Sequence, residues 1–131
     1  MTGLYNRQHM IQTLEHTIDH IGDQQSLSLL YIELDGFAER VSSAFGVAGS
    51  DLVLGDISTI LREKINTTDI LARFGDTSFT LLIPNIKADA AVNRALQLCK
   101  LLENHIIEID NKTLQLTCSV GISIINETST N

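Results

Sequence analysis

Apolar residues recur at Met10, Ile11, Leu14, Ile18 and Ile21. This i, i+3, i+4 spacing predicts an amphipathic helix from about Asn6 to Ile21, ended by Gly22-Asp23. The run Ser26 to Leu34 (SLSLLYIEL) is dense in apolar residues and predicts a strand buried on both faces, broken at Gly36. Phe37 to Phe45 predicts a short helix. Gly46 and Gly49 mark a turn, and Ser50 is placed to cap the next helix. That helix carries Val53, Leu54, Ile57, Ile60, Leu61 and Ile65 at helical spacing.

Two short strands follow, Ile70–Phe74 and Ser78–Ile83, around Gly75-Asp76-Thr77, a hairpin signal. Pro84-Asn85 stops the second strand. Ala88 to about His105 predicts a long helix with Ala91, Val92, Ala95, Leu98, Cys99, Leu102 and Ile106 as its buried stripe. Leu96 and Leu101 lie off that stripe. The chain then reads as Ile106–Ile109, a turn at Asp110-Asn111-Lys112, and one strand from Leu114 to Ile125. Gly121 predicts a bulge or a close backbone approach in that strand. The polar tail 126–131 predicts a frayed end. The element order implies an α/β (α+β) fold: a central βαββαβ sheet of ferredoxin-like type, helices packed on it, and a C-terminal hairpin. With no repeat, linker or low-complexity stretch, residues 1–131 read as one domain.

Composition sharpens this. With 44% hydrophobic and 19% charged residues, the chain has a core to bury and is not a disordered tail. Nine Lys and Arg stand against 16 Asp and Glu, a net charge of −7, which argues against nucleic acid as a partner. No uninterrupted apolar run approaches the roughly 20 residues of a membrane span, so no membrane insertion is expected. The segment Met1 to Arg7 lacks the apolar centre of a secretory signal, and the expectation is a soluble cytoplasmic domain. Cys99 and Cys118 read as small buried hydrophobes and not as a disulfide or metal ligands. His16 and His20, beside Glu15 and Asp19, read as a solvated helix face; His9 and His105 show no partner pattern.

The candidate chemistry gathers at the end of the first strand, where Glu33 and Asp35 lie. The hairpin Arg73–Phe79 lies beside them if the two strands pair centrally. The relevant pieces are Thr2-Gly3-Leu4-Tyr5-Asn6-Arg7, Glu33-Leu34-Asp35-Gly36-Phe37, Phe45-Gly46, Ser50-Asp51, Ala72-Arg73-Phe74-Gly75, Phe79 and Ser119-Val120-Gly121-Ile122. In this order, from Thr2 to Ile125, the chain resembles the GGDEF domains, diguanylate cyclases that join two GTP into cyclic di-GMP. The resemblance implies a cyclase-like fold. It also implies a groove in which acidic residues from the first strand and the hairpin hold divalent ions on the triphosphate.

This chain departs from the family pattern at named positions. With Arg73 and Phe79 aligned, the five hairpin residues are Gly75, Asp76, Thr77, Ser78 and Phe79. The resemblance then puts a neutral hydroxyl, Thr77, at the hairpin metal-ligand position. Asp76 replaces the second glycine and adds negative charge where a triphosphate would pass. A one-residue slip puts Asp76 at the ligand position instead, although the unbroken Arg73-to-Phe79 spacing opposes it. Glu33 stands for the leading aspartate; Asp35 matches the second and reads equally as a cap for the following helix. Arg73 reads as a phosphate guide or as a tie from the sheet edge to a carboxylate. The segment after Phe37 is one residue longer than the family's, so the guanine-reading asparagine falls on Val41 or Ser42, and Asp51 alone remains of those contacts. In the RxxD product-inhibition motif, Asn66 replaces the arginine and Asp69 is kept. The resemblance also implies one more helix carrying Lys and Arg for the phosphates, and the sequence stops before it.

These departures lead to the expectation of a degenerate GGDEF domain that is not an enzyme and has no catalytic residues. Glu33, Asp35, Asp51, Gly75, Asp76, Thr77, Ser78 and Phe79 are then vestigial active-site positions, and Asn66 and Asp69 a vestigial inhibitory site. No metal site is expected, and Mg²⁺ and GTP binding are expected to be lost. The implied role is a regulatory, dimerisation or protein-interaction module, similar to that in FimX-type GGDEF–EAL proteins that control pili, motility or biofilm. The expected partners are a neighbouring EAL or sensor domain of the same chain, a second copy, or another protein. The alternatives are a GTP-sensing allosteric domain without cyclase activity, and a weakly active cyclase. The start at the Thr2–Arg7 motif is read as excision from a larger protein.

Overall fold

The richest apolar run, Ser26 to Leu34, forms the centre of the sheet. In chain order the strands and helices are β1 (Ser26–Leu34), α1 (Ser43–Glu63), β2 (Ile70–Arg73), β3 (Ser78–Pro84), α2 (Ala88–Asn104), β4 (Ile107–Ile109), β5 (Lys112–Leu114) and β6 (Cys118–Asn126). The computed structural model describes residues 26–84 and 86–126, with Gln8, Ile11 and Gln12, which are helical. The rest of the helix expected over 6–21, with His9, His16 and His20, lies outside the described residues, as does the tail after Asn126.

β1 pairs antiparallel with β3 on one edge and β6 on the other, and β2 flanks β3, giving the order β2-β3-β1-β6. This is the order expected of a βαββαβ sheet. Leu30, Ile32 and Leu34 of β1, with Phe79, Leu81 and Ile83 of β3, face a core closed by Val53, Leu54, Ile57 and Leu61 of α1 and Ala91, Ala95, Leu98 and Leu102 of α2. A smaller cluster of Leu27, Ala72 and Leu82 lies apart from it. β1 is therefore not buried throughout as expected: Tyr31 is 38% exposed and Glu33 half-buried, because alternation turns them away from the helices.

The segment after β1 differs from expectation in an informative way. Ala38–Ser42 forms a π-helical turn that runs into α1 and buries Val41 completely. Gly46 alone leaves the helical region (φ 73°, ψ −167°), and α1 continues through Gly49. A β-carbon on Gly49 would lie 2.3 Å from that of Phe45, so glycine there serves close packing and not a turn. Ser50 is not an N-cap. Its hydroxyl donates to the Gly46 carbonyl at 2.8 Å, one turn back, and lies 3.1 Å from the Ser42 hydroxyl.

Val92 of α2 and Ile106, which lies beyond the end of that helix, are exposed and do not join the stripe expected of them; Leu96 of α2 is exposed too. The single strand expected over 114–125 is two strands. Residues 115–117 leave the ladder, bury Leu116, and direct the Thr117 carbonyl to the Asp35 N–H at 2.9 Å. Asp110 and Asn111, both at positive φ, turn β4 into β5. Gly121 forms no bulge: it faces Tyr31 in unbroken register, with nothing within 4 Å of an added β-carbon.

One helical stretch among the described residues, Ala38–Glu63, is long and apolar enough to cross a membrane by length and composition. Run length alone did not anticipate it. Here it carries Asp51 and Asp56 and packs Val53, Leu54, Ile57 and Leu61 into the core.

The Thr80 hydroxyl is buried in β3 with no hydrogen-bond partner. Thr80→Val keeps the shape and removes the orphaned group, so it is expected to stabilise the fold by about 0.5–1 kcal/mol. Urea unfolding reads this as a raised midpoint. A loss of similar size would show that the hydroxyl is satisfied.

Candidate functional site

Three segments converge at the end of β1. The Leu34 N–H donates to the Thr77 carbonyl at 3.0 Å, and the Asp35 N–H to the Thr117 carbonyl at 2.9 Å. The β2–β3 hairpin and the start of β6 are thus drawn to either side of Glu33 and Asp35. Glu33 faces Ser78 on one strand and Ser119 on the other.

The two carboxylates have different partners. Glu33 accepts a hydrogen bond from the Thr77 hydroxyl at 2.5 Å and a longer one from the Tyr31 hydroxyl at 3.4 Å. Tyr31 is braced by the edge of Phe74, with ring centroids 5.5 Å apart. Asp35 does not act as a cap on the following helix. Its oxygens accept from Thr117 at 2.9 Å and Ser119 at 2.8 Å, which ties the end of β1 to β6.

The hairpin between them is closed on itself. Arg73 donates to the carbonyls of Gly75 at 3.3 Å and Asp76 at 2.9 Å, so it braces the turn and ties no carboxylate. A β-carbon on Gly75 would lie 2.7 Å from the Ser78 hydroxyl, which makes glycine necessary there unless Ser78 moves. Asp76 is exposed at the tip, Ser78 is buried, and Phe79 is fully buried in the core beneath. The hairpin thus presents backbone, a hydroxyl and an extra carboxylate.

The other expected positions lie elsewhere. Asp51 lines a shallow groove along α1 with Ala48, Leu52, Gly55, Asp56 and Thr59. Of the two candidates for a guanine-reading side chain, Val41 is in the core and Ser42 is engaged by Ser50. Asp69 is buried just before β2, where it accepts from the Asn66 N–H at 2.9 Å and from Arg94 of α2 at 3.0 Å. The arginine that meets Asp69 therefore comes from 25 residues downstream, and position 66 contributes only its backbone.

Sequence reasoning also missed a basic groove of about 520 Å³ lined by Lys64, Arg94, Lys100 and His105, among others. No spacing rule links Lys64 to α2; only the fold brings them together. His105 does have a partner, Asp56 of α1, at 2.8 Å. Cys118 is buried as expected, whereas Cys99 is half-buried beside it.

Residues 1–131 match the family model described as diguanylate cyclase, GGDEF domain. The chain is 32% identical over 116 residues to Diguanylate cyclase A of Treponema denticola, covering 86% of this chain and 31% of that protein. It is 30% identical over 127 residues to the cyclic di-GMP phosphodiesterase PdeR of Escherichia coli, covering 97% of this chain and 19% of that protein. The chain thus spans under a third of the length of these curated relatives. Among solved structures, the FimX GGDEF domain of Pseudomonas aeruginosa is similar with a TM-score of 0.89 at 31% identity, covering 96% of this chain and 78% of that one. The expectation that the chain is not an enzyme is corrected by these matches. The matching family is one of cyclases, and proteins named as diguanylate cyclases align along most of the chain. Substitutions at Asn66, Asp76 and Thr77 concern single side chains and do not outweigh that.

The Asp69–Arg94 pair offers a direct check on the described geometry. Arg94→Met leaves a carboxylate whose side chain is 1% exposed with a single N–H partner, and is expected to cost about 3 kcal/mol. Asp69→Leu combined with Arg94→Met should cost less than Arg94→Met alone, read from urea midpoints at neutral pH. A cost below about 0.5 kcal/mol for Arg94→Met would show that water screens the pair.

Proposed function

The chain belongs to the GGDEF family of diguanylate cyclases, and from that premise we propose that it is a regulatory domain of a cyclic di-GMP signalling protein, binding Mg²⁺ and GTP weakly and cyclising slowly. The observation that carries this reading is the Thr77–Glu33 hydrogen bond at the head of the groove. The family's divalent ion needs hard anionic oxygens held apart and open. Here Glu33 is engaged by a neutral hydroxyl, and both oxygens of Asp35 are engaged by hydroxyls of β6 and the residue before it. Among the described residues, no three His, Cys, Asp or Glu side chains are grouped to hold a metal. The residues present do not fit an ion held by two carboxylates, one from β1 and one from the hairpin.

Charge acts in the same direction. Asp76 brings a carboxylate to the exposed turn, while Arg73 spends its donors on that turn's carbonyls. A triphosphate at this rim meets Glu33 and Asp76 without a free arginine from the hairpin. The domain's contribution is then as a surface and a weak nucleotide reader, beside a neighbouring domain of the same protein. The cyclic di-GMP phosphodiesterase PdeR, 30% identical over 127 residues, supports a hydrolase neighbour; this reading takes that neighbour to be of EAL type, with pili, motility or biofilm as the output and the cytoplasm as the location. A second copy or another protein is the further partner this reading expects.

Calorimetry with GTP and Mg²⁺ is expected to give a Kd near millimolar or weaker. Micromolar binding, or turnover at the 1–10³ per second usual for enzymes, would contradict the reading. Asp76→Gly with Thr77→Asp supplies the second carboxylate beside Glu33. This variant should unfold several degrees lower than the parent in chelator, where two carboxylates repel, and recover on adding Mg²⁺. Loss without Mg²⁺ rescue would mean that Thr77 does not mark the cation position.

A further inference from the structure

Two thiols far apart in sequence meet between α2 and β6. The Cys118 S–H donates to the Cys99 sulfur at 3.3 Å, and Cys99 in turn lies 3.8 Å from the Cys118 carbonyl. Cys99 is half-buried at the helix surface, whereas Cys118 is buried in the main core cluster. We propose that this pair is an oxidation site, at which a small-molecule disulfide converts the two thiols into a Cys99–Cys118 bond that clamps α2 to β6. The proposal stands apart from the nucleotide reading.

Geometry sets the direction of attack. Bonded sulfurs lie about 2.05 Å apart, so closure requires about 1.3 Å of movement, which small side-chain rotations supply. Cys99 is the more accessible of the two thiols, and its sulfur accepts the Cys118 S–H hydrogen bond. The Cys118 thiol is held well above the usual thiol range, first by burial and then by Cys99, with Asp35 and Glu103 adding negative charge nearby. Cys99 therefore attacks first. Its thiolate displaces one thiolate from the oxidant and forms a mixed disulfide, which removes the negative charge beside Cys118. Cys118 then gives its proton to solvent and attacks the Cys99 sulfur, expelling the second thiolate. Two protein thiols are oxidised and one small disulfide is reduced to two thiols.

The position gives the bond a consequence. Cys118 pairs with Leu34 at the end of β1, and its neighbours Thr117 and Ser119 hold the Asp35 carboxylate. A covalent tie from α2 thus reaches the strand that shapes the groove.

The 131-residue chain, incubated with oxidised glutathione under native conditions, should lose both free thiols and about 2 Da in intact mass. Dithiothreitol should restore both. Cys118→Ser should stop at a glutathione adduct on Cys99, and Cys99→Ser should remain unmodified. The oxidised parent should melt several degrees higher than the reduced form, as expected for a cross-link closing an 18-residue loop. An unchanged or lower Tm would show that the native packing does not accept the bond. Thiols that stay free, an adduct that persists on Cys99 in the parent chain, or a bond between two chains would each overturn the proposal.

Discussion

Strand β1 is hydrogen-bonded along both edges, to β3 in one direction and to β6 in the other, and this double pairing decides where every candidate side chain at the groove stands. A strand paired on both sides has little freedom to shift register, because a one-residue slip would turn Leu30, Ile32 and Leu34 out of the core. Its last residues are consequently fixed from two sides. The Leu34 and Asp35 amides reach the Thr77 and Thr117 carbonyls, and the hairpin and β6 arrive at the groove whatever side chains they carry. Phe79, fully buried two residues after Thr77, anchors the hairpin from below.

On that scaffold the chain has placed hydroxyls where carboxylates would otherwise face open groove. Thr77 meets Glu33, and Thr117 with Ser119 meets Asp35. A carboxylate that accepts hydroxyl hydrogen bonds is satisfied without a cation, and drawing it onto a metal would cost those bonds. Two arginines are committed as well, Arg73 to its own turn and Arg94 to Asp69. A scaffold shared with cyclases therefore carries an altered set of donors.

Much of the fold was legible in the sequence because period and punctuation agree there. SLSLLYIEL, the Gly75-Asp76-Thr77 turn and the 3.6-residue stripe of α2 became a strand, a hairpin and a helix within a residue or two of their expected bounds. The misreadings have local causes. By local pattern Gly49 reads as part of a turn and Gly121 as a bulge or close approach, but a glycine also serves close packing, as at Phe45, or sits in a regular ladder. The interruption at 115–117 is set by the long-range bond from Asp35 to Thr117, which no local pattern encodes. The same holds for the site. The residue types at the hairpin follow from the sequence, whereas the Thr77–Glu33, Arg94–Asp69 and Asp56–His105 pairs span 44, 25 and 49 residues and exist only once the chain is folded.

With Glu33 and Asp35 both engaged by hydroxyls, the proposed weakness of the divalent-cation site at the head of the groove is open to direct measurement. Amide NMR spectra of the chain, titrated with Mn²⁺ in the presence of GTP, test it at the residues concerned, because bound Mn²⁺ broadens the signals nearest to it. No selective broadening is expected at Glu33, Asp76, Thr77 and Ser78 while Mn²⁺ stays well below millimolar. Selective loss of those four signals at micromolar Mn²⁺ would contradict it.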